Sequence, residues 1–221
     1  MRDSYREQLD DILADLVEMS QVVSSAVRSS TTALLEADIH LAEQVITDDE
    51  KLDHKQSEVE ARAFSLLARQ APVAGELRTL VATLRMVTEL ERMGDLTAHV
   101  AKIARLRYPD HAVPDDLVAN FTRMAEVADH MISSAGSTLS ERDVEGAAKL
   151  AEHDEEMDEL RRQQFTTLLA DDWQHGVEKA VDAALLGRYY ERIADHSVAM
   201  GRRIIYVITG EAPEGENWPN A

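Results

Sequence analysis

Apolar residues along this chain recur at alternating spacings of three and four, the signature of helices with one face turned away from water. Leu9, Leu13, Leu16, Val23, Val27 and Leu34 form the first stripe, with Ser20 and Ser30 at its missing steps. Leu117, Phe121, Met124, Ala128, Met131 and Ala135 form a second. No stretch sustains an alternation of period two, so strands are not expected. The breaks fall at Pro72 with Gly75, at Pro109 to Pro114, more weakly at Trp173-Gln174-His175-Gly176, and after Gly210. Asp38, Asp115 and Asp143 stand where new helices should begin, and aspartate suits an N-cap. The pattern predicts an all-α chain of six helices, at about 4–35, 38–70, 74–107, 115–139, 143–172 and 177–208. The longer ones would span roughly 45 Å at the usual rise per residue.

Comparing the chain with itself shows that these six are three used twice. Glu36-Ala37-Asp38-Ile39 aligns with Glu141-Arg142-Asp143-Val144, and Asp49-Glu50-Lys51-Leu52-Asp53 with Asp154-Glu155-Glu156-Met157-Asp158, both at an offset of 105. Glu91-Arg92-Met93-Gly94-Asp95 aligns with Glu191-Arg192-Ile193-Ala194-Asp195 at an offset of 100. The change of offset falls between the second and third helix of the unit, where loop lengths can differ. The expected organisation is a first three-helix repeat over 1–107, a linker over 108–114, a second repeat over 115–209 and a flexible tail over 210–221.

Charge narrows the partners. The 221 residues carry 42 acids against 23 lysines and arginines, a formal −19. Such a surface repels phosphate backbones, so nucleic acid is not expected as a partner. Cysteine is absent, which removes disulfides and thiolate chemistry together. The N-terminus is too polar for a signal peptide, and the run Ile204 to Ile208 is too short to span a bilayer, so a cytoplasmic protein is expected.

The candidate chemistry lies in paired carboxylates. Residues four apart share a helix face, so Asp49 with Asp53 and Glu91 with Asp95 each present two acids together, as do Asp154 with Asp158 and Glu191 with Asp195. Chance alone places about eight acidic pairs at that spacing in a chain this rich in carboxylates. These four recur at matching places in both repeats. Glu91 also continues the stripe Leu77, Leu80, Leu84, Val87, and Glu191 follows Ala180, Ala184 and Gly187. A carboxylate on an apolar seam needs a counter-charge. One candidate is an inter-helix salt bridge to Arg92 or Arg192. The other is a metal held by oxygen donors, for which Mg, Mn, Fe or Zn are suitable and more than one ion has room. His99, four residues after Asp95, is a further candidate ligand, although the matching position holds Ala199. The Glu-x-x-His motif of di-iron bundles is missing, as are a phosphate loop and a nucleophile elbow, so no catalytic site is expected.

The segments ELERMGDLTAHVAKIA and YYERIADHSVAMGRRI, one per repeat, closely resemble the PhoU family of phosphate-signalling regulators, over about residues 4 to 210. The resemblance implies two antiparallel three-helix bundles related by a pseudo-twofold. It implies a mono- or multinuclear metal site on Asp49, Asp53, Glu91 and Asp95, and another on Asp154, Asp158, Glu191 and Asp195. It further implies a non-enzymatic negative regulator of phosphate uptake and of the phosphate-starvation response. Such a protein links the ATPase subunit of the phosphate ABC transporter to a sensor histidine kinase, is often a homodimer, and reaches the inner membrane only through partners. Ala194 stands where the family often has glycine, so the two sites are expected to differ in affinity. The alternatives are a carboxylate-bridged metal store or oxidase, and a plain helical scaffold whose acids are all surface.

Overall fold

The computed structural model describes residues 2–70 and 72–211. It consists of six helices with no strand among the described residues: α1 (Arg2–Glu36), α2 (Ile39–Gln70), α3 (Gly75–Arg107), α4 (Asp115–Glu141), α5 (Val144–Leu168) and α6 (Gly176–Thr209).

The first hairpin of each repeat is closed by one device. Ala37 and its counterpart Arg142 take the left-handed conformation, with φ of 52° and 58°. The next amide reaches back five residues, Asp38 N–H to the Ala33 carbonyl at 3.1 Å and Asp143 N–H to the Thr138 carbonyl at 3.0 Å. This wraps the last carbonyls of one helix while the aspartate caps the next. Asp38 accepts from Leu41 N–H and Asp143 from Gly146 N–H, each at 3.0 Å. Asp115 does not cap. Pro114 holds the extended N-cap position of α4, which puts Asp115 and Asp116 in the first turn, where their charge meets the positive helix end. Helix α5 stops at Leu168, four residues short of expectation, since Asp171 and Asp172 would crowd negative charge onto a negative helix end.

The repeats share a core. Helix α1 packs on α3 and α4, and α6 on α3 and α4, so these four close into a ring. Helix α2 lies outside against α1 and α3, and α5 outside against α4 and α6. Exchanging the repeats maps this set of neighbours onto itself, as a twofold requires. Both pairs across that axis run antiparallel. Ser24 of α1 meets Asp129 and Ser133 of α4, while Arg78, Glu89 and Arg107 of α3 meet Val207, His196 and Asp182 of α6. One continuous apolar cluster runs through both repeats, from Ile12 and Val27 to Phe121, Met131 and Ile204.

Both stripes point inward as the spacing requires. Leu16, Val23, Val27 and Leu34 are buried, as is the whole α4 stripe, while Leu9 and Leu13 lie at its edge. Ser20 and Ser30 are buried in the seam with their hydroxyls donating to Val17 and Val27 carbonyls. Leu77, in contrast, is exposed, in the first turn of α3. The outer position of α5 follows from its narrow apolar face, with 6 buried residues against 15 in α3. Among the described residues no helix is long and apolar enough to cross a membrane.

Polar contacts fix the register of the ring. The Tyr190 hydroxyl, wholly buried, meets Thr31 Oγ1 at 2.7 Å across the centre, and Thr31 donates on to Val27. Glu89 of α3 accepts from His196 Nδ1 at 2.5 Å and from the Arg203 guanidinium at 3.0 Å, both on α6. Burial pushes the Glu89 carboxyl up, but these two partners outweigh it and hold it below its ordinary value. At the far end Arg107 holds buried Asp182 through two nitrogens, at 2.5 and 3.1 Å. Replacing Tyr190 by Phe removes only the hydroxyl that joins α6 to α1. Urea denaturation should show a loss of about 1–2 kcal/mol with an unchanged slope.

Candidate functional site

Each repeat carries its acids on the face where the outer helix meets the third helix. In the first, α2 contributes Asp49 and Asp53, and α3 contributes Glu91 and Asp95. They act on one another. The Asp49 carboxyl is pushed up to about 6, by burial first and then by the charges of Asp95 and Asp53, against a smaller pull from Lys102. Glu91 is likewise raised, by burial and then by Asp95, with Asp53 adding to it and Arg92 opposing. In the second repeat Asp154 is pushed up to about 6 by burial, then by Asp195, Asp158 and Glu191, against Arg202. Asp195 is raised by burial and by Glu191, against Arg188, His196 and Arg192. The fold therefore brings together each set of four that the spacing singled out. As their side chains are placed, no three acids or histidines among the described residues converge closely enough to chelate one ion.

At Gly94 α2 packs closely on α3. A Cβ built on it would lie 2.3 Å from Leu52 Cδ2 and 3.1 Å from Asp49 Oδ1, so its lack of a side chain lets Asp49 approach the α3 backbone. Beside Asp49 a groove of about 260 Å³ opens between α1 and α2, lined in part by Ser25, Ala26 and Ser29. The second repeat places His130 and His153 at the positions of Ser25 and Asp48, and these rings meet edge to face at 4.7 Å.

The candidate inter-helix bridge from Arg92 does not form. Arg92 stays on its own helix, 3.6 Å from Glu91 and 3.5 Å from Asp95, and is half exposed. His99 turns the other way and stacks on Tyr189 of α6, with ring centroids 5.4 Å apart, so it does not join the acids. Two arginines that reach the second cluster were missed in the sequence. Arg161 of α5 crosses to Glu191 Oε2 at 3.1 Å, and Arg188 reaches Glu191 Oε1 at 2.8 Å. The signal was present as a break in the repeat, since the matching residues are Gln56 and Thr88.

A family model described as the PhoU domain matches residues 16–104 and again residues 121–204. The chain belongs to the PhoU family. A relative from Mycobacterium leprae, named phosphate-specific transport system accessory protein PhoU homolog 1, is 46% identical over 221 residues, covering 100% of both chains. Homolog 2 from Mycobacterium tuberculosis is 47% identical over 213 residues, 96% of this chain and 100% of that one. Two solved PhoU structures share the fold. The Streptococcus pneumoniae protein matches with a TM-score of 0.85 at 23% identity, over 94% of this chain and 98% of that one. The Pseudomonas aeruginosa protein matches with a TM-score of 0.83 at 24% identity, over 94% and 100%. The two PhoU matches each take in one acidic cluster, so the duplication and the family motif coincide.

The raised carboxyls set a pH dependence. A group whose folded pKa lies above its unfolded one favours the fold while protonated, and that contribution fades as pH rises through the folded value. Asp49 and Asp154 thus weaken the metal-free protein above about pH 6. In chelator, Asp49→Asn with Asp154→Asn should melt higher than the parent at pH 8. The gap should shrink as pH falls through 6 and close below about 4; calorimetry over that range checks it.

Proposed function

We propose that this chain is an accessory regulator of phosphate-specific transport that works by binding, not by catalysis. The observation that carries this is similarity over the whole chain, at 46% identity, to a relative named as an accessory protein of phosphate-specific transport. In this reading the protein restrains phosphate uptake and the starvation response as an adaptor between the transporter's ATPase subunit and a sensor histidine kinase. Two similar units on one rigid core support an adaptor, since a second contact made by a tethered face benefits from high effective concentration. The strongly acidic surface favours basic patches on those partners. Peripheral attachment at the inner membrane, through the partners, belongs to the same proposal, as does a homodimer.

We further propose that divalent cations bind at the carboxylate clusters. The donor chemistry of the first cluster, though not its side-chain placement without a metal, suits a hard cation. Asp49, Asp53, Glu91 and Asp95 supply oxygen donors only, and burial, with the neighbouring carboxylates adding to it, already raises Asp49 and Glu91. A bound ion would supply positive charge and hold α2 to α3. In the second cluster Asp154, Asp158, Glu191 and Asp195 offer the same oxygens to a different surrounding, treated below.

Deletion of the gene should leave a starvation-induced promoter active in phosphate-rich medium, with overaccumulation of phosphate. A promoter that stays silent in a strain without a paralogue ends the regulatory reading. For the cation, Mn²⁺ added to chelator-treated protein should raise the melting temperature, since a ligand at a hundred times its Kd stabilises the fold by about 2.7 kcal/mol. Glu91→Ala with Asp95→Ala should remove the shift due to the first cluster. Identical melting of the parent with and without Mn²⁺ counts against the cation.

A further inference from the structure

Four positions that surround the acids differ between the repeats, and the four differences depend on one another. Gln56, Val59, Val87 and Thr88 of the first repeat become Arg161, Gln164, Gly187 and Arg188 in the second. In the first repeat these residues leave Glu91 alone. Gln56 bonds along its own helix to Glu60 at 3.2 Å, Thr88 bonds to the Leu84 carbonyl at 3.1 Å, and Val59 and Val87 are core.

In the second repeat they build a channel for a guanidinium. Arg161 leaves α5 and lies against α6, its side chain only 15% exposed. Its NH1 donates to the Ala184 carbonyl at 3.0 Å and to Gln164 Oε1 at 2.8 Å, and its Nε donates to Glu191 Oε2 at 3.1 Å. Gln164 is itself fully buried and anchored by donating to the Ala183 carbonyl at 2.6 Å. Gly187 makes the path possible. A Cβ there would come within 2.6 Å of Arg161 NH1 and 2.0 Å of Gln164 Oε1, so the valine found at the matching position would close it. Arg188 takes the remaining Glu191 oxygen at 2.8 Å. A charge-assisted pair held this way is among the stronger hydrogen bonds a carboxylate can make, and both oxygens of Glu191 are engaged.

We infer that the second carboxylate cluster is closed by the protein's own cation: Arg161, threaded past Gly187, together with Arg188 occupies the Glu191 oxygens that a metal would need, so divalent cations bind this protein at its first repeat alone. The inference rests on the cation reading proposed above and limits it to Asp49, Asp53, Glu91 and Asp95. The two repeats then offset the same crowding of negative charge by different means, one through an exchangeable ion and one through covalently attached charges. Cation supply would therefore act on one half of the molecule only.

The test is Mn²⁺ binding to the chelator-treated full chain, by calorimetric titration and native mass spectrometry. Asp49→Asn with Asp95→Asn should lose at least tenfold in affinity, while Asp154→Asn with Asp195→Asn should stay within twofold of the parent. Arg161→Gln with Arg188→Thr, which restores the first repeat's residues, should gain a second set of bound Mn²⁺. Arg188→Thr alone, at a half-exposed position, gives the same direction more weakly and serves if the double variant fails to fold. Equal losses from the two Asn pairs, or no gain from freeing Glu191, overturns the inference. A parent that takes up no Mn²⁺ at all overturns the cation reading instead. The lock is then judged without metal, by a melting-temperature cycle over Arg161→Gln and Glu191→Gln. Strong favourable coupling upholds it, and absence of coupling refutes it.

Discussion

Each of the four central helices carries apolar side chains around much of its girth, and those surfaces can leave water together only if the repeats close on each other. Helix α3 must cover Leu80, Met86, Leu90 and Met93 while also meeting α1, α2 and α6. A free three-helix unit would leave the sides of α1 and α3 that face the second repeat in water. Burial of that shared surface drives the ring, because the favourable free energy scales with the apolar area removed from water. Everything else is placed by it. The ring sets α2 and α5 on opposite outer sides, and with them the two acidic faces.

The same closure explains where charge is permitted. Between α3 and α6, among the described residues, the acids come in matched sets: Glu89 with Arg203 and the His196 ring, and Asp182 with Arg107. A buried ion without a partner is too costly to persist, so these pairs also act as register marks between α3 and α6. On the outer faces the demand is weaker, since water reaches Asp53, Asp158 and Asp195. Unbalanced carboxylates are tolerated there at the expense of raised pKa values on Asp49 and Asp154. A cluster held in that state is poised for a counter-charge from outside, which is what a binding protein can use. In the second repeat Arg161 and Arg188 already supply part of it.

Duplication makes the comparison internal. The two halves have the same helices, the same left-handed turn at Ala37 and Arg142, and the same aspartate caps. Against that common frame the differences stand out as chemistry. Leu96 becomes His196 and Ile103 becomes Arg203, which gives α6 the polar groups that α3's Glu89 requires. Once fused, two units are free to diverge at their shared interface so long as each change is answered across it.

Much of this was readable from one chain. Helix positions follow from a three-and-four periodicity carried by α1 and α4, and most ends follow from caps and breakers, because both are contacts within a few residues. The repeat, the paired acids and the family motif are likewise properties of spacing. Where local rules failed, a neighbour outside the segment had decided. Leu77 continues the α3 stripe yet is exposed, since no neighbouring helix covers that turn. Arg92 sits beside Glu91 in sequence and stays on its own helix, whereas Arg161, thirty residues from Glu191 and on another helix, reaches it because Gly187 leaves a path. The closing of the ring, the Tyr190 bond to Thr31 and the partners of Glu89 are also matters of which turn faces which. Periodicity names the face of a helix, but only packing against the other five decides what that face meets.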